Sequence, residues 1–327
     1  MTRPCRLIKS QLPSAQVYPA IPLSSQAPPK RGETDTRNNN WKGIGFALAA
    51  AIVASSSAAA SKWVSAAVPV PLIVLSQYSI CLLILIPWIV RQSPPKLATQ
   101  HWKTHLLRGF AGWLCFITYF SALSKISLME AGLLRNAAPI FVPLVIWLWA
   151  HAHIAPKRWL PILFGLMGIS LILQPNIDGI SIGHAFGLLS GLALATSMVG
   201  TRILSRTERP SLILFYYILI SLTCSFPLGI YYWQPIPFWT LPYLAYNGIS
   251  VLLAIWCYTK AYSYAKPSVV SPISYFSVVI SGVIGWLIWQ NLPNTMALIG
   301  IFIVIGAGLL SIYLSTQKAL PAIPTSS

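Results

Sequence analysis

The sequence predicts an all-α polytopic membrane protein, with ten transmembrane helices built as two inverted five-helix repeats. Three observations predict it: the scarcity of charge, a succession of long apolar runs, and the placement of basic residues between those runs. Only 8% of the 327 residues are charged and 56% are hydrophobic. A soluble domain carries about 25% charged residues, so this chain has too few to cover a water-soluble globule of its size. The charge is also lopsided, with 22 Lys and Arg against 5 Asp and Glu. A basic excess can signal nucleic-acid binding. Here the bases stand between apolar segments and not along one stripe, so no nucleic-acid partner is expected. Loops facing an anionic membrane surface account for them instead.

A spanning helix needs roughly 20 apolar residues. The runs that qualify are 43–65, 71–90, 106–124, 131–150, 158–174, 181–203, 211–231, 241–262, 267–289 and 294–315. The run over 71–90 is the clearest, bounded by Pro69-Val70-Pro71 before it and Arg91 after it. Three are weaker: 106–124 starts with Arg108 inside it, 131–150 contains Arg135, and 158–174 is short and carries Pro161. Inside lipid every backbone polar group must be satisfied internally, so the runs are helices. The alternating ten-residue segments of a membrane barrel are absent. Residues 1–42 are polar and rich in Pro, Gln, Ser and Asn. They are expected to form a disordered cytoplasmic tail, and they lack the apolar core of a signal peptide. Residues 316–327 form the other tail.

Charge placement orients the spans. With ten spans and a cytoplasmic amino terminus, 19 of the 22 bases fall on the cytoplasmic side, leaving Lys62, Lys125 and Arg135 on the other. That partition follows the positive-inside rule and places both termini in the cytoplasm of a cell with an inner (cytoplasmic) membrane. Adding or dropping one middle helix would scramble it. The outer loop from Tyr231 to Trp239 is uncharged and aromatic, as an interfacial belt is.

The two halves echo one another at an offset of about 140 residues. Tyr119-Phe120-Ser121-Ala122-Leu123 matches Tyr258-Thr259-Lys260-Ala261-Tyr262, and each is followed by a polar break and a proline-bearing run. Residues 43–174 and 181–315 are the two repeats. Five spans per half is an odd number, so the second copy enters the membrane upside down, a transporter signature.

In these features the chain resembles the EamA family of the drug/metabolite transporter superfamily. Leu106-Leu107-Arg108-Gly109, the Tyr119–Leu123 segment and Glu130–Phe141 carry the likeness in the first half. Tyr258–Tyr262 and Lys266–Phe276 carry it in the second. The resemblance implies a secondary transporter that moves a small organic metabolite, amino-acid-like, nucleotide-like or drug-like, by alternating access. It also implies no enzymatic activity and no cofactor. One departure stands out: many relatives close spans four and nine with an acidic residue, where this chain has Ala150-His151 and Gln290-Asn291. The alternative is a membrane-embedded enzyme or lipid-handling protein. It calls for clustered intramembrane histidines or carboxylates, which the chain almost lacks.

Arg135 is the first candidate for substrate binding, because a charge inside a span is costly and marks function by default. It either faces a central cavity and holds a carboxylate or phosphate, or snorkels to the outer headgroups. Glu130 either carries a coupling proton or is a helix-start charge favoured by the dipole. Five residues turn it well off the Arg135 face. Lys62 either anchors its helix at the interface or reaches an outer vestibule. Asn136 stands beside Pro139, whose missing N–H breaks the helical ladder; Pro272, beside Ser271 and Ser274, is its counterpart in span nine. Trp113, Tyr119, Trp256, Tyr258 and Tyr275 are candidate aromatic walls for an organic solute. The small-residue stretch Ser55–Ser61 suits close helix packing. Cys5, Cys81, Cys115, Cys224 and Cys257, and the loop pair His151 and His153, share no metal-ligand spacing. No nucleotide-binding loop, selectivity filter or catalytic triad is present.

Overall fold

The computed structural model describes residues 33–91, 98–150, 159–173, 181–205, 207–264, 273, 275–290 and 295–317. In chain order the helices are α1 (Glu33–Val64), α2 (Val70–Val90), α3 (Trp102–Leu123), α4 (Leu128–Asn136), α5 (Ala138–Ala150) and α6 (Trp159–Leu173), then α7 (Ile182–Leu204), α8 (Pro210–Tyr231), α9 (Leu241–Tyr264), α10 (Phe276–Trp289) and α11 (Thr295–Gln317). A single 3-10 turn, Phe238–Thr240, leads into α9. Ser271, Pro272, Ser274, His151 and His153 lie outside the described residues.

Each predicted run contains a helix, and three differences are instructive. α1 starts at Glu33 and not near Gly43, so the tail expected to be unstructured is helical over its last residues. α3 starts at Trp102, earlier than its apolar run, and so takes in Lys103 and His105. The fourth run is broken at Ala137 into α4 and α5. Pro139 has no N–H to give the carbonyl of Arg135, and the Ala137 N–H turns back to Leu133 O at 2.9 Å and Leu134 O at 3.3 Å.

Seven of the helical segments are long and apolar enough to cross a membrane: Trp41–Val64, Val70–Pro87, Trp102–Leu123, Leu128–Trp149, Ile182–Leu204, Pro210–Tyr231 and Phe238–Ala261. Phe276–Trp289, Leu298–Leu310 and the fifteen-residue α6 are shorter apolar helices. Large apolar side chains point outward across the bundle, among them Leu83, Leu148, Leu163 and Phe302 at 60–73% exposure. A water-soluble monomer rarely exposes so much apolar surface; here it is the surface that lipid covers. The chain is a multi-pass membrane protein.

Packing repeats with the two halves exchanged. α1 lies along α9 as α7 lies along α3, and α2 touches α9 as α8 touches α3. α2 with α8, α4 with α10 and α6 with α11 pair across the halves. The exchange holds residue by residue. A Cβ added at Gly109 would meet Ile220 Cβ at 2.7 Å, and one at Gly248 would meet Ile80 Cβ at 2.6 Å. The Ser221 hydroxyl donates to Gly109 O at 3.2 Å, and the Cys81 thiol donates to Gly248 O at 3.4 Å. Tyr78 of α2 and Tyr217 of α8 share a hydrogen bond of 2.9 Å across the halves.

Candidate functional site

Around that hydrogen bond lies a cluster of aromatic and basic side chains from α2, α3, α4 and α8. One face of α3 carries Arg108, Gly112, Cys115 and Tyr119, spaced at helical intervals. Gly112 lacks the side chain that would collide with the Tyr217 ring, so α8 seats Tyr217 directly on α3. The Arg108 guanidinium lies over Tyr217, 3.8 Å from the ring centroid, and its Nε donates to Thr201 Oγ1 at 3.1 Å. On the other side, Arg135 of α4 is clamped between two α3 rings, 4.8 Å from the Phe116 centroid and 4.7 Å from that of Tyr119. Cys115, Tyr119 and Tyr217 are close enough to act on its charge. Arg135 therefore points toward α3, inside the bundle.

Neither arginine has a carboxylate partner among the described residues. The Nε of Arg135 and an Nη of Arg108 are buried with no hydrogen-bond acceptor, as is the Trp113 indole N–H. A buried donor without an acceptor is costly, and an oxygen of a bound solute would supply the acceptor. Among the described residues the arrangement is donor-rich, aromatic-walled and free of competing carboxylates, which suits an organic solute bearing an anionic group.

The other expected residues are partly brought together here. Asn136 donates to Gly132 O at 2.9 Å and to Ser277 Oγ at 3.1 Å, tying α4 to α10. Glu130 closes a capping box with Ser127: its N–H donates to Ser127 Oγ at 3.2 Å, and its carboxylate accepts the Ser127 N–H at 3.1 Å. This is the geometry of a helix-start cap. Glu130→Gln should retain the cap, whereas Glu130→Ala should cost about 1 kcal/mol; unfolding in detergent measures both. Lys62 donates to Leu123 O and Ile126 O, each at 2.6 Å, capping the end of α3. Lys62→Met should lower stability by roughly 1–2 kcal/mol, read by the same unfolding experiment.

The remaining aromatics lie elsewhere. Trp256 is 52% exposed and packs edge-on against Phe46. Tyr258 packs on the small cluster of Ala47, Ala261 and Ile273. Tyr275 is buried with its hydroxyl against Gly308. The serines of α1 join helices as expected: Ser55 donates to Ser277 O at 2.9 Å and Ser57 to Asn247 Oδ1 at 2.6 Å. Arg108, Phe116, Tyr78 and Tyr217 are the members of the cluster that sequence reasoning missed. The helical spacing of Arg108, Gly112, Cys115 and Tyr119 was the available signal.

Comparison with known proteins agrees with this architecture. The chain is 23% identical to an S-adenosylmethionine uptake transporter of Rickettsia bellii, over 85% of this chain and 95% of that one. It is 27% identical to a riboflavin transporter of Vibrio cholerae, over 79% and 87%. It is 28% identical to a pseudopaline exporter of Pseudomonas aeruginosa, over 79% and 91%. A solved crystal structure, 18% identical, superposes over 88% of this chain and 99% of its own with a TM-score of 0.54, which shows a shared fold. The EamA-like transporter family matches twice, over residues 41–174 and again over 181–313. Two matches in tandem account for the exchanged packing of the halves: the chain belongs to the EamA-like transporter family.

Proposed function

We propose that this chain is a ten-span secondary transporter with both termini in the cytoplasm, carrying a small organic solute with a carboxylate or phosphate by alternating access. The observation that carries the substrate class is the Arg135 guanidinium, held against Phe116 and Tyr119 with a buried, unsatisfied Nε–H and no acidic neighbour among the described residues. Stacked on aromatic faces, an arginine keeps its planar fork in one orientation, ready for a two-oxygen acceptor. Tyr119, with Phe116, would contact the solute's organic body; Trp113 and Asn136 would line the path beside it. The relatives are named for S-adenosylmethionine, riboflavin and pseudopaline. They support an organic solute of metabolite size, and they include both an uptake protein and an exporter.

The ten-span arrangement is supported by the apolar character of α6, α10 and α11 and by the division of basic residues between the two sides. An odd number of spans per repeat makes the repeats inverted, the geometry in which rocking one half against the other alternates access to a central site.

A thermal-shift screen in detergent tests the substrate class, using amino acids, nucleosides, nucleotide-like cofactors and polyamines. Anionic members should stabilise the protein and polyamines should not. A stabilising compound is then tested for accumulation in proteoliposomes. Stabilisation by polyamines or by uncharged nucleosides alone would sink the assignment.

A further inference from the structure

His105 stands two helical turns from Tyr119's half of α3, near the end where the basic loops gather. Its side chain is 1% exposed, and neither ring nitrogen has a hydrogen-bond partner. Its Nε2 lies 3.9 Å from Glu208 Oε1, in the segment that leads into α8. That is too long for a hydrogen bond and short enough for an ion pair once the ring gains a proton. Thr99 donates to the same carboxylate oxygen at 2.5 Å. The Tyr216 ring of α8 lies 4.6 Å from the imidazole. The titratable and charged groups that bear on His105 are Glu208, Arg108 of its own helix and His101 at the cap of that helix; α7 ends nearby with the exposed Arg202.

We propose that His105 and Glu208 form a proton-binding site that couples a proton to solute movement, an inference that rests on the transport reading above. Histidine is the side chain whose ordinary titration spans physiological pH. As a neutral ring, His105 is a buried polar group left unsatisfied. A proton taken from the aqueous phase makes the ring a cation with an N–H at both nitrogens, adds attraction to the Glu208 carboxylate, and draws α3 and the start of α8 together. Arg108, one turn along, opposes that proton. An anionic solute held at Arg135, in the same cluster as Arg108, offsets part of the opposing positive charge, so solute and proton favour one another's binding, and the effect is reciprocal. The second repeat has no copy of this site: Leu244 and Asn247 occupy the positions equivalent to His105 and Arg108, as the matching of Gly109 with Gly248 fixes them. The coupling site is therefore confined to one end of the carrier.

The test needs no solute. Spin labels at Lys103 and Thr207, both exposed, are placed in a background with the native cysteines replaced by alanine. The distance between them is followed from about pH 5.5 to about pH 8, the range over which histidine titrates. A short distance at low pH should give way to a longer one as pH rises. His105→Gln should abolish the response, His105→Arg should hold the short distance throughout, and Glu208→Gln should move the midpoint to lower pH. A His105→Gln protein that responds as the parent does, or a parent that does not respond, would overturn the proposal. Solute accumulation tests the transport reading separately, so the two failures are distinguishable.

Discussion

Arg135→Met is expected to weaken binding of the stabilising solute by about 30- to 700-fold, the equivalent of roughly 2–4 kcal/mol for one partner of a buried charged contact. The same substitution should leave the solute-free protein as stable as the parent or more stable. Methionine fills the space between Phe116 and Tyr119 and keeps favourable contact with aromatic rings. It also removes a buried cation whose Nε has no acceptor, and apolar replacements of buried charge are often neutral or stabilising. A residue kept for packing would show the opposite pairing, with lost stability and unchanged binding. Arg135→Lys should fall between, because an ammonium keeps the charge and loses the flat, two-pronged geometry. Calorimetric or thermal-shift titration of the three proteins checks binding, and unfolding without solute checks stability. Unchanged affinity in Arg135→Met would remove Arg135 from the binding site.

The second large effect is steric. A Cβ added at Gly191 would lie 2.5 Å from the carbonyl oxygen of Leu134 and 3.5 Å from that of Arg135. The obstructing atoms are backbone, so no rotamer change relieves them. They also belong to the turns just before the Ala137 break, where α7 meets the segment that presents Arg135. Alanine gains about 1 kcal/mol over glycine in a helix, but overpacking costs about 1–3 kcal/mol, and here the clash prevails. Gly191→Ala should destabilise, and Gly191→Val should do so more strongly and displace Arg135, lowering affinity as well. Gly306 is the control, because an added Cβ there meets nothing within 4 Å. Gly306→Ala should be neutral or slightly stabilising. Unfolding of the three variants in one detergent settles the order, and equal behaviour of Gly191→Ala and Gly306→Ala would contradict the close approach.

The helices were legible because lipid imposes a simple condition on sequence: long apolar runs, ended by charge. The run at 71–90 corresponds to Val70–Val90 almost residue for residue. Boundaries failed where a helix continues into water, since hydropathy falls while backbone hydrogen bonding does not; Glu33 and Trp102 are such starts. Arg135 was legible as a single charge in a run of apolar residues. Arg108 was not, because its place near the end of a run gave it an ordinary role as a loop-side base. Only packing reveals that Tyr217 covers it. The contact of Ser57 with Asn247, and of the Asn247 amide with Gln77 Oε1 at 3.1 Å, was equally hidden. Those residues are far apart in sequence, and nothing local announces their meeting.

The hydrogen bond between Tyr78 and Tyr217 has a consequence that follows from which residues it joins. The matching of Ile80 with Ile220 and of Cys81 with Ser221 makes Ile218 the counterpart of Tyr78 and Gln77 the counterpart of Tyr217. When a carrier switches by trading the roles of its two repeats, the counterpart pair cannot make this bond, because isoleucine has no side-chain donor or acceptor. A bond made by one half and not by its copy weights one resting state against the other. Tyr78→Phe should accordingly shift the proportion of molecules open to each side.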